Sequence, residues 1–171
     1  GQPAALAYLA EHYGRLPLAD SLAPAIRLAQ QGFAVDEHYR RMATFRLTVL
    51  QEHSASADIF LLDDAVPPQG HLLRQPELAA TLRALARQGR DGFYRGDVAA
   101  RLVEGVREAG GIWTAKDLDD YRVVEREPVS FRYRDLKIVS ASPPSSGGVA
   151  LATMLHTLEG FRLDTLDTAT R

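Results

Sequence analysis

The sequence has no cysteine, only two lysines (Lys116 and Lys137), and no long apolar run. The absence of cysteine excludes disulfides, cysteine-based zinc sites and thiol nucleophiles. No apolar stretch approaches the roughly 18 residues that a membrane-spanning helix needs. The 20 basic and 22 acidic residues give a net charge of −2. This balance gives no electrostatic reason to expect nucleic acid or an anionic membrane as a partner.

The remaining composition is that of a globular protein, with 171 residues, 46% hydrophobic and 25% charged. A chain of this length can bury roughly 70% of the surface that its unfolded form exposes. We therefore expect a single helical domain over residues 1–171, or one lobe of a larger protein. The first residues include neither Met nor the pattern of a signal peptide. They favour an excised or processed piece of a longer protein.

Helical periodicity dominates the chain. Apolar residues recur at helical spacing, mostly up to a closing glycine, in six segments: 4–13, 18–31, 36–50, 76–88, 97–109 and 149–159. Pro24 lies inside the second segment and predicts a break or kink near Ala23. In the third segment, one face of the predicted helix carries Tyr39, Met42, Phe45 and Val49. The pattern predicts a mainly α protein, arranged as an orthogonal helical bundle.

Three further segments depart from this pattern. Residues 59–62 form a short apolar run before a turn, which favours a strand or extended segment. Thr114 and Asp117 have the spacing of a capping box ahead of a short helix. Apolar residues alternate along 129–133 and 136–140, with Arg134 and Asp135 between the two runs. This alternation predicts a small β-hairpin.

The glycine-rich loop of residues 143–148 is the strongest candidate for a binding site. Ser145 and Ser146 lie between a predicted strand and a predicted helix. Their hydroxyls suit helix capping, and the amides of Gly147 and Gly148 suit an anion-binding nest. A serine nucleophile is a third interpretation, but proline occupies the position two residues before each serine, where a nucleophile elbow needs glycine. The lysine and spacing of a phosphate-binding P-loop are absent too.

No other residues form a recognisable catalytic or metal-binding pattern. None of the five histidines, His12, His38, His53, His71 and His156, belongs to a metal-ligand signature. Two adjacent acidic pairs, 63–64 and 119–120, fall in turn or capping regions, where carboxylates are usually solvated. Aromatic residues do not alternate with basic ones as in a single-strand nucleic-acid platform. We therefore assign no catalytic residue, metal site or cofactor.

Several segments occur in an order that resembles the gamma-glutamyltranspeptidase (gamma-glutamyltransferase) family. The segments that carry the resemblance are 13–18, 24–29, 32–35, 92–96, 110–114, 117–118, 121, 126–129, 133–134 and 143–148. Each is weak alone, and the Pro-Pro-Ser-Ser-Gly-Gly block at 143–148 is the most specific. Their shared order covers nearly the whole chain.

The resemblance implies a lobe of an N-terminal-nucleophile hydrolase with an αββα sandwich. Such an enzyme cuts its own precursor into a large and a small subunit. The threonine exposed at the cut attacks a gamma-glutamyl amide such as that of glutathione, its own α-amine acting as base. The resulting acyl group passes to water or to an amine. The resemblance also favours a periplasmic or extracellular location.

This chain matches part of the large subunit only. The Thr-Thr-His nucleophile motif is absent, and Thr170 is followed by Arg171. No catalytic residue of the family can therefore be assigned to a position here, and we expect the chain alone to be inactive. Its partners would be the remainder of the large subunit and the small subunit. The alternative is a helical interaction module that docks a partner subunit.

Overall fold

The computed structural model describes residues 1–163, which are mainly helical with two small antiparallel sheets. The chain divides into two compact units, residues 1–123 and residues 124–171. The mainly α composition and the β-hairpin are confirmed. The orthogonal arrangement of the helices and the single domain over 1–171 stay predictions. In the tail of residues 163–171 the sequence has no packing signal, and residues 164–171 lie outside the described residues.

The first unit is built from nine helices. They are α1 (Gln2–His12), α2 (Leu18–Gln31), α3 (Glu37–Phe45), α4 (Leu47–Gln51), α5 (Ser54–Phe60), α6 (Pro76–Gln88), α7 (Asp91–Tyr94), α8 (Gly96–Glu108) and α9 (Ala115–Asp119). The predicted break near Ala23 is absent, since α2 continues through Pro24. Helix α2 packs along α6.

A short sheet that the sequence did not predict joins two distant segments of this unit. Strand β1 (Phe33–Ala34) pairs with β2 (Leu72–Leu73) in antiparallel register. The Val35 N–H extends the pairing by donating to the His71 carbonyl over 2.8 Å. Val35 itself is almost fully buried. Helices α3, α4 and α5 therefore lie in the connection between β1 and β2, here called the excursion. The pairing of the two strands holds the ends of this connection together.

The structure corrects two predictions within this excursion. Ile59 and Phe60 end helix α5, because a short apolar run suits either structure and tertiary contacts decide. The extended segment predicted at 59–62 is therefore present only at Leu61 and Leu62, the second of which is bridged to Ala65. The Tyr39 hydroxyl donates to the Phe60 carbonyl over 2.6 Å and holds the end of this helix. On the apolar face predicted for residues 36–50, Phe45 is 75% exposed and Met42 and Val49 are exposed too. The helix itself is interrupted at Arg46.

The hydrophobic core of the first unit lies where α1, α7, α8 and α9 meet. Its buried residues are Ala4, Tyr94, Ala99 and Leu118. Partly buried apolar side chains surround them: Phe93, Leu102, Val103 and Val123. Burial of this apolar surface is the main force that holds these four helices together.

The second unit is a β-hairpin with one helix. Strands β3 (Val129–Tyr133) and β4 (Leu136–Ser140) pair in register, and α10 (Gly147–Glu159) packs against them. Arg134 adopts a left-handed backbone with φ 52° in the predicted turn. Alternate residues of β3 are half-buried. Among residues 124–163, Gly148 alone is fully buried.

Candidate functional site

The candidate loop joins β4 to α10, with Ser146 at the N-cap of the helix. The Ser145 N–H donates to the Ser142 carbonyl over 3.1 Å, and the Ala150 N–H donates to the Ser146 carbonyl over 2.9 Å. No side chain caps the helix, so the predicted capping by a serine hydroxyl is wrong. Ser146 has a helical backbone, with φ −77° and ψ −22°, whereas a capping side chain needs extended backbone at that position.

The two glycines of the loop have different surroundings. A Cβ on Gly148 would lie 2.5 Å from the Ala141 carbonyl oxygen, so this position holds α10 close to the end of β4. A Cβ on Gly147 would meet nothing closer than the Ser145 Oγ at 3.9 Å. Gly148 therefore has a packing role. The anion-binding role of Ser145, Ser146, Gly147 and Gly148 stays a prediction.

Two of the five histidines, His156 and His12, contact groups within their own units. His156 Nε2 lies 3.1 Å from the Arg132 carbonyl oxygen, and its ring meets Phe131 edge to face. His12 stacks on Tyr8, with ring centroids 3.9 Å apart. Within residues 1–163, no group of three His, Asp or Glu side chains could hold a metal ion. The described part of the chain thus offers no metal-binding cluster, and these two histidines make structural contacts.

The acidic pair at 119–120 is held in ion pairs. Arg95 Nε donates to the Asp119 carboxylate, and this contact lowers the pKa of Asp119. Lys116 Nζ lies 2.5 Å from the Asp120 carboxylate, which raises the pKa of Lys116. A general acid needs a raised carboxyl pKa. The lowered pKa of Asp119 therefore favours a structural role.

The pair at 63–64 forms a tight turn. Asp63 and Asp64 both have positive φ, at 48° and 62°, between the bridged residues Leu62 and Ala65. Two consecutive left-handed residues are typical of a type I′ turn. This pair therefore shapes the backbone, as the sequence indicated for adjacent carboxylates in turns.

A cluster around Arg90 was missed from the sequence. Its guanidinium donates to the carbonyls of Leu118 (3.2 Å), Asp119 (2.6 Å) and Tyr121 (2.8 Å). It also lies over the Tyr94 ring, which stacks on Tyr121 at 5.3 Å between centroids. The planar fork of arginine suits several acceptors at once. Arg90 thus ties α7 to the end of α9, a contact that no spacing rule along the sequence reveals.

The first unit also contains an open pocket of about 600 Å³ beside Arg90. Its apolar lining includes Ala4, Ala7 and Val123, and its charged lining includes Arg90 and Glu11. The volume falls within the range of about 300–1,000 Å³ that small-molecule sites occupy. None of the loop residues predicted to bind anions lines this pocket.

The sequence model of the gamma-glutamyltranspeptidase family matches residues 1–171. The chain belongs to the gamma-glutamyltranspeptidase family. The glutathione hydrolase proenzyme of Pseudomonas sp. (strain A14) is 36% identical over 167 residues, which cover 97% of this chain and 29% of that protein. The resemblance inferred from the order of the motifs is thus confirmed.

Solved structures agree with this family assignment. Helicobacter pylori gamma-glutamyltranspeptidase superposes with a TM-score of 0.90 at 34% identity, covering 95% of this chain and 47% of that one. Cephalosporin acylase from Bacillus halodurans gives a TM-score of 0.85 at 35% identity, covering 97% of this chain and 32% of that one. The chain therefore spans less than half the length of these relatives.

Proposed function

We propose that residues 1–171 form a scaffold lobe of the large subunit in an enzyme that transfers or hydrolyses gamma-glutamyl groups. The reaction would pass through a threonine acyl-enzyme, and the lobe would form one wall of the substrate groove. Membership of the gamma-glutamyltranspeptidase family supports the reaction class. Glutathione is a candidate substrate, since relatives carry the name glutathione hydrolase.

The unpaired outer edges of the hairpin in the second unit are the main observation that supports the scaffold role. Strands β3 and β4 pair only with each other, so each has an outer edge without a partner strand among residues 1–163. A two-stranded hairpin is marginally stable alone, whereas a larger sheet covered by helices is stable. Helix α10 covers one face. In an αββα sandwich each sheet is covered by a layer of helices. A hairpin with free edges and one helix-covered face could form part of one such sheet and its helical layer.

The described residues support the proposal that the 171-residue chain alone is inactive. Gamma-glutamyl transfer of this kind needs a threonine with a free α-amine and an oxyanion hole. The Thr-Thr-His motif, at which a precursor would be cut to free a threonine amine, is absent from residues 1–171. The hydroxyls of Thr114, Thr153 and Thr157 form hydrogen bonds within their own helices or caps. The catalytic groups would come from the remainder of the large subunit and from the small subunit.

A gamma-glutamyl anilide assay tests this proposal. The purified 171-residue chain should release no aniline above a heat-killed control, whereas the complete enzyme should release it steadily. Turnover by the chain that increases with time would contradict the inactive-lobe proposal. Absence of turnover by the complete enzyme would contradict the reaction class.

The alternative proposal is a helical module that docks a partner subunit. The exposed side chains Met42, Phe45 and Val49 on α3 and α4 favour it, because apolar patches of this kind mark interaction surfaces. The sequence of the parent gene distinguishes the two proposals. A reading frame that continues into a segment with Thr-Thr-His supports the enzyme, and a stop codon directly after residue 171 supports the module.

The location would be periplasmic or extracellular, as the family resemblance implies. Among the described residues, no helix has the length and apolar character to cross a bilayer. Fractionation of the native host would test the location. Activity confined to the cytoplasmic fraction would contradict it.

A further inference from the structure

The open pocket of about 600 Å³ in the first unit is formed by residues of that unit alone. Helix α1 provides one wall with Ala4 and Ala7, which are 2% and 9% exposed and have side chains too small to fill the space beside them. Other lining residues come from the junction of α6 and α7, residues 88–91, and from residues 122–123 after α9. An apolar wall with a few polar groups around it is typical of small-molecule sites.

Two of the charged groups in the lining already have partners within the protein. The Arg90 guanidinium pairs with the Asp91 carboxylate over 2.9 Å and donates to three backbone carbonyls. The Asp91 carboxylate also lies 3.1 Å from Nη1 of Arg95. Because these groups neutralise one another, Arg90 and Asp91 offer little binding capacity to a ligand.

The other two charged groups of the lining, Glu11 and Arg122, keep their binding capacity. In the described part of the chain, the Glu11 carboxylate has no hydrogen-bond or ion-pair partner. Arg122 donates to the Asp119 and Tyr121 carbonyls through Nη1 only, so its Nε and Nη2 stay available. The pocket therefore combines one unpaired carboxylate, one available guanidinium and an apolar wall.

We propose that this pocket binds an α-amino acid with an apolar side chain, such as leucine. Its carboxylate would bind Arg122, and its ammonium group would bind Glu11. Its side chain would pack on Ala4, Ala7 and Val123. Hydrogen bonds between ionised groups are stronger than neutral ones. A simple carboxylic acid or a simple amine satisfies only one of the two charged groups, so their combination favours a zwitterion.

Isothermal titration calorimetry of the complete enzyme with L-leucine tests this proposal. The wild type should bind with a Kd of about 1 mM or lower, as expected for a small ligand with charged contacts at both ends. Glu11→Gln and Arg122→Gln should each raise the Kd at least about 10-fold, since each removes one charge-assisted contact. Glu108→Gln and Arg107→Gln are the matched controls. Both residues lie outside the pocket at the end of α8, so these variants should keep the wild-type Kd.

Two analogues of leucine identify the group that each residue binds. Isoamylamine lacks the carboxylate, so Glu11→Gln should weaken its binding and Arg122→Gln should not. For 4-methylpentanoate, which lacks the ammonium group, the two variants should exchange these effects. Thermal unfolding checks that each variant is folded. The Glu11 carboxylate has no partner among residues 1–163, so Glu11→Gln should fold and decides alone if Arg122→Gln does not.

Undetectable binding of L-leucine by the wild type would overturn the proposal. The same Kd in Glu11→Gln as in the wild type would overturn it too, because leucine would then be bound elsewhere on the enzyme. Gamma-glutamyl anilide turnover is measured on the same samples. An active enzyme that does not bind leucine refutes the pocket alone, whereas an inactive wild-type enzyme that binds leucine refutes the proposed function alone.

Discussion

The two units of the chain differ in how much apolar surface their own residues bury. The first unit has a buried cluster of Ala4, Tyr94, Ala99 and Leu118, and arginine contacts that join its helices. The second unit has one buried residue among those described, Gly148, and a helix with exposed apolar side chains. Apolar burial is the dominant favourable contribution to folding. The first unit therefore contains a hydrophobic core, whereas residues 124–163 bury little apolar surface of their own.

The largest expected effect comes from the interior of the first unit. Leu85 on α6 is 3% exposed, and Leu85→Ala should lower the free energy of unfolding by about 2–4 kcal/mol, because it leaves a cavity. Leu78 lies on the same helix but is 42% exposed, so Leu78→Ala should cost less than about 1 kcal/mol. Urea unfolding followed by Trp113 fluorescence measures both. Equal losses of unfolding free energy in the two variants would contradict the placement of the core on the Leu85 face of α6.

An intermediate effect is expected in the second unit, at the contact between β4 and α10. Gly148→Ala should lower the free energy of unfolding by about 1–3 kcal/mol, since its Cβ would meet the Ala141 carbonyl oxygen. Gly147→Ala is the matched control. It should be neutral or stabilising by up to about 1 kcal/mol, because its Cβ meets open space at a helix start. Amide hydrogen exchange along α10 measures both changes. Faster exchange in Gly147→Ala but not in Gly148→Ala would contradict the packing role of Gly148.

The smallest effect is expected at the capping box of α9. Thr114→Ala should cost about 1 kcal/mol, as losses of N-cap side chains do. The Asp117 pKa is lowered, mainly by the hydrogen bond from the Thr114 side chain. The variant should therefore raise the pKa of Asp117 toward its ordinary value of 3.8. Carbon-detected NMR titration of the Asp117 carboxylate would measure this shift, with Thr114→Ser as the control that keeps the hydroxyl.

The sign of the pH dependence follows from the same contact. A carboxylate with a lowered pKa in the folded state stabilises the fold above its unfolded pKa, and this stabilisation is lost as the pH falls through the folded value. The contributions of Asp117 and Asp119 should therefore be complete above about pH 4 and disappear in stronger acid. A capping box that stabilised the chain equally at pH 2 and pH 7 would contradict this account.

Local signals in the sequence were sufficient for part of this structure. The hairpin at 129–140 was predicted from two alternating runs, and the capping box at Thr114 from a spacing of three residues. Both depend on residues that are close together in the chain. The family was found in the same way, from short motifs in a fixed order.

Features that depend on distant residues were not predicted. The pairing of β1 with β2 and the bonds from Arg90 to residues 118–121 join parts of the chain that share no periodicity. The exposure of Phe45 was missed because helical spacing indicates an apolar face but not whether anything covers it. At the candidate loop, residue types favoured a serine cap, and the backbone angles of Ser146 decided against it.

The closed excursion above β1 and β2 has a consequence for how this lobe can vary among relatives. Its two ends are fixed by the pairs Phe33–Leu73 and Ala34–Leu72, so insertions between them need not disturb α2 or α6. Doubling the length of a flexible loop costs only about 0.6 kcal/mol in closure entropy. Between β1 and β2, added chain length in an exposed turn should therefore cost little in closure entropy.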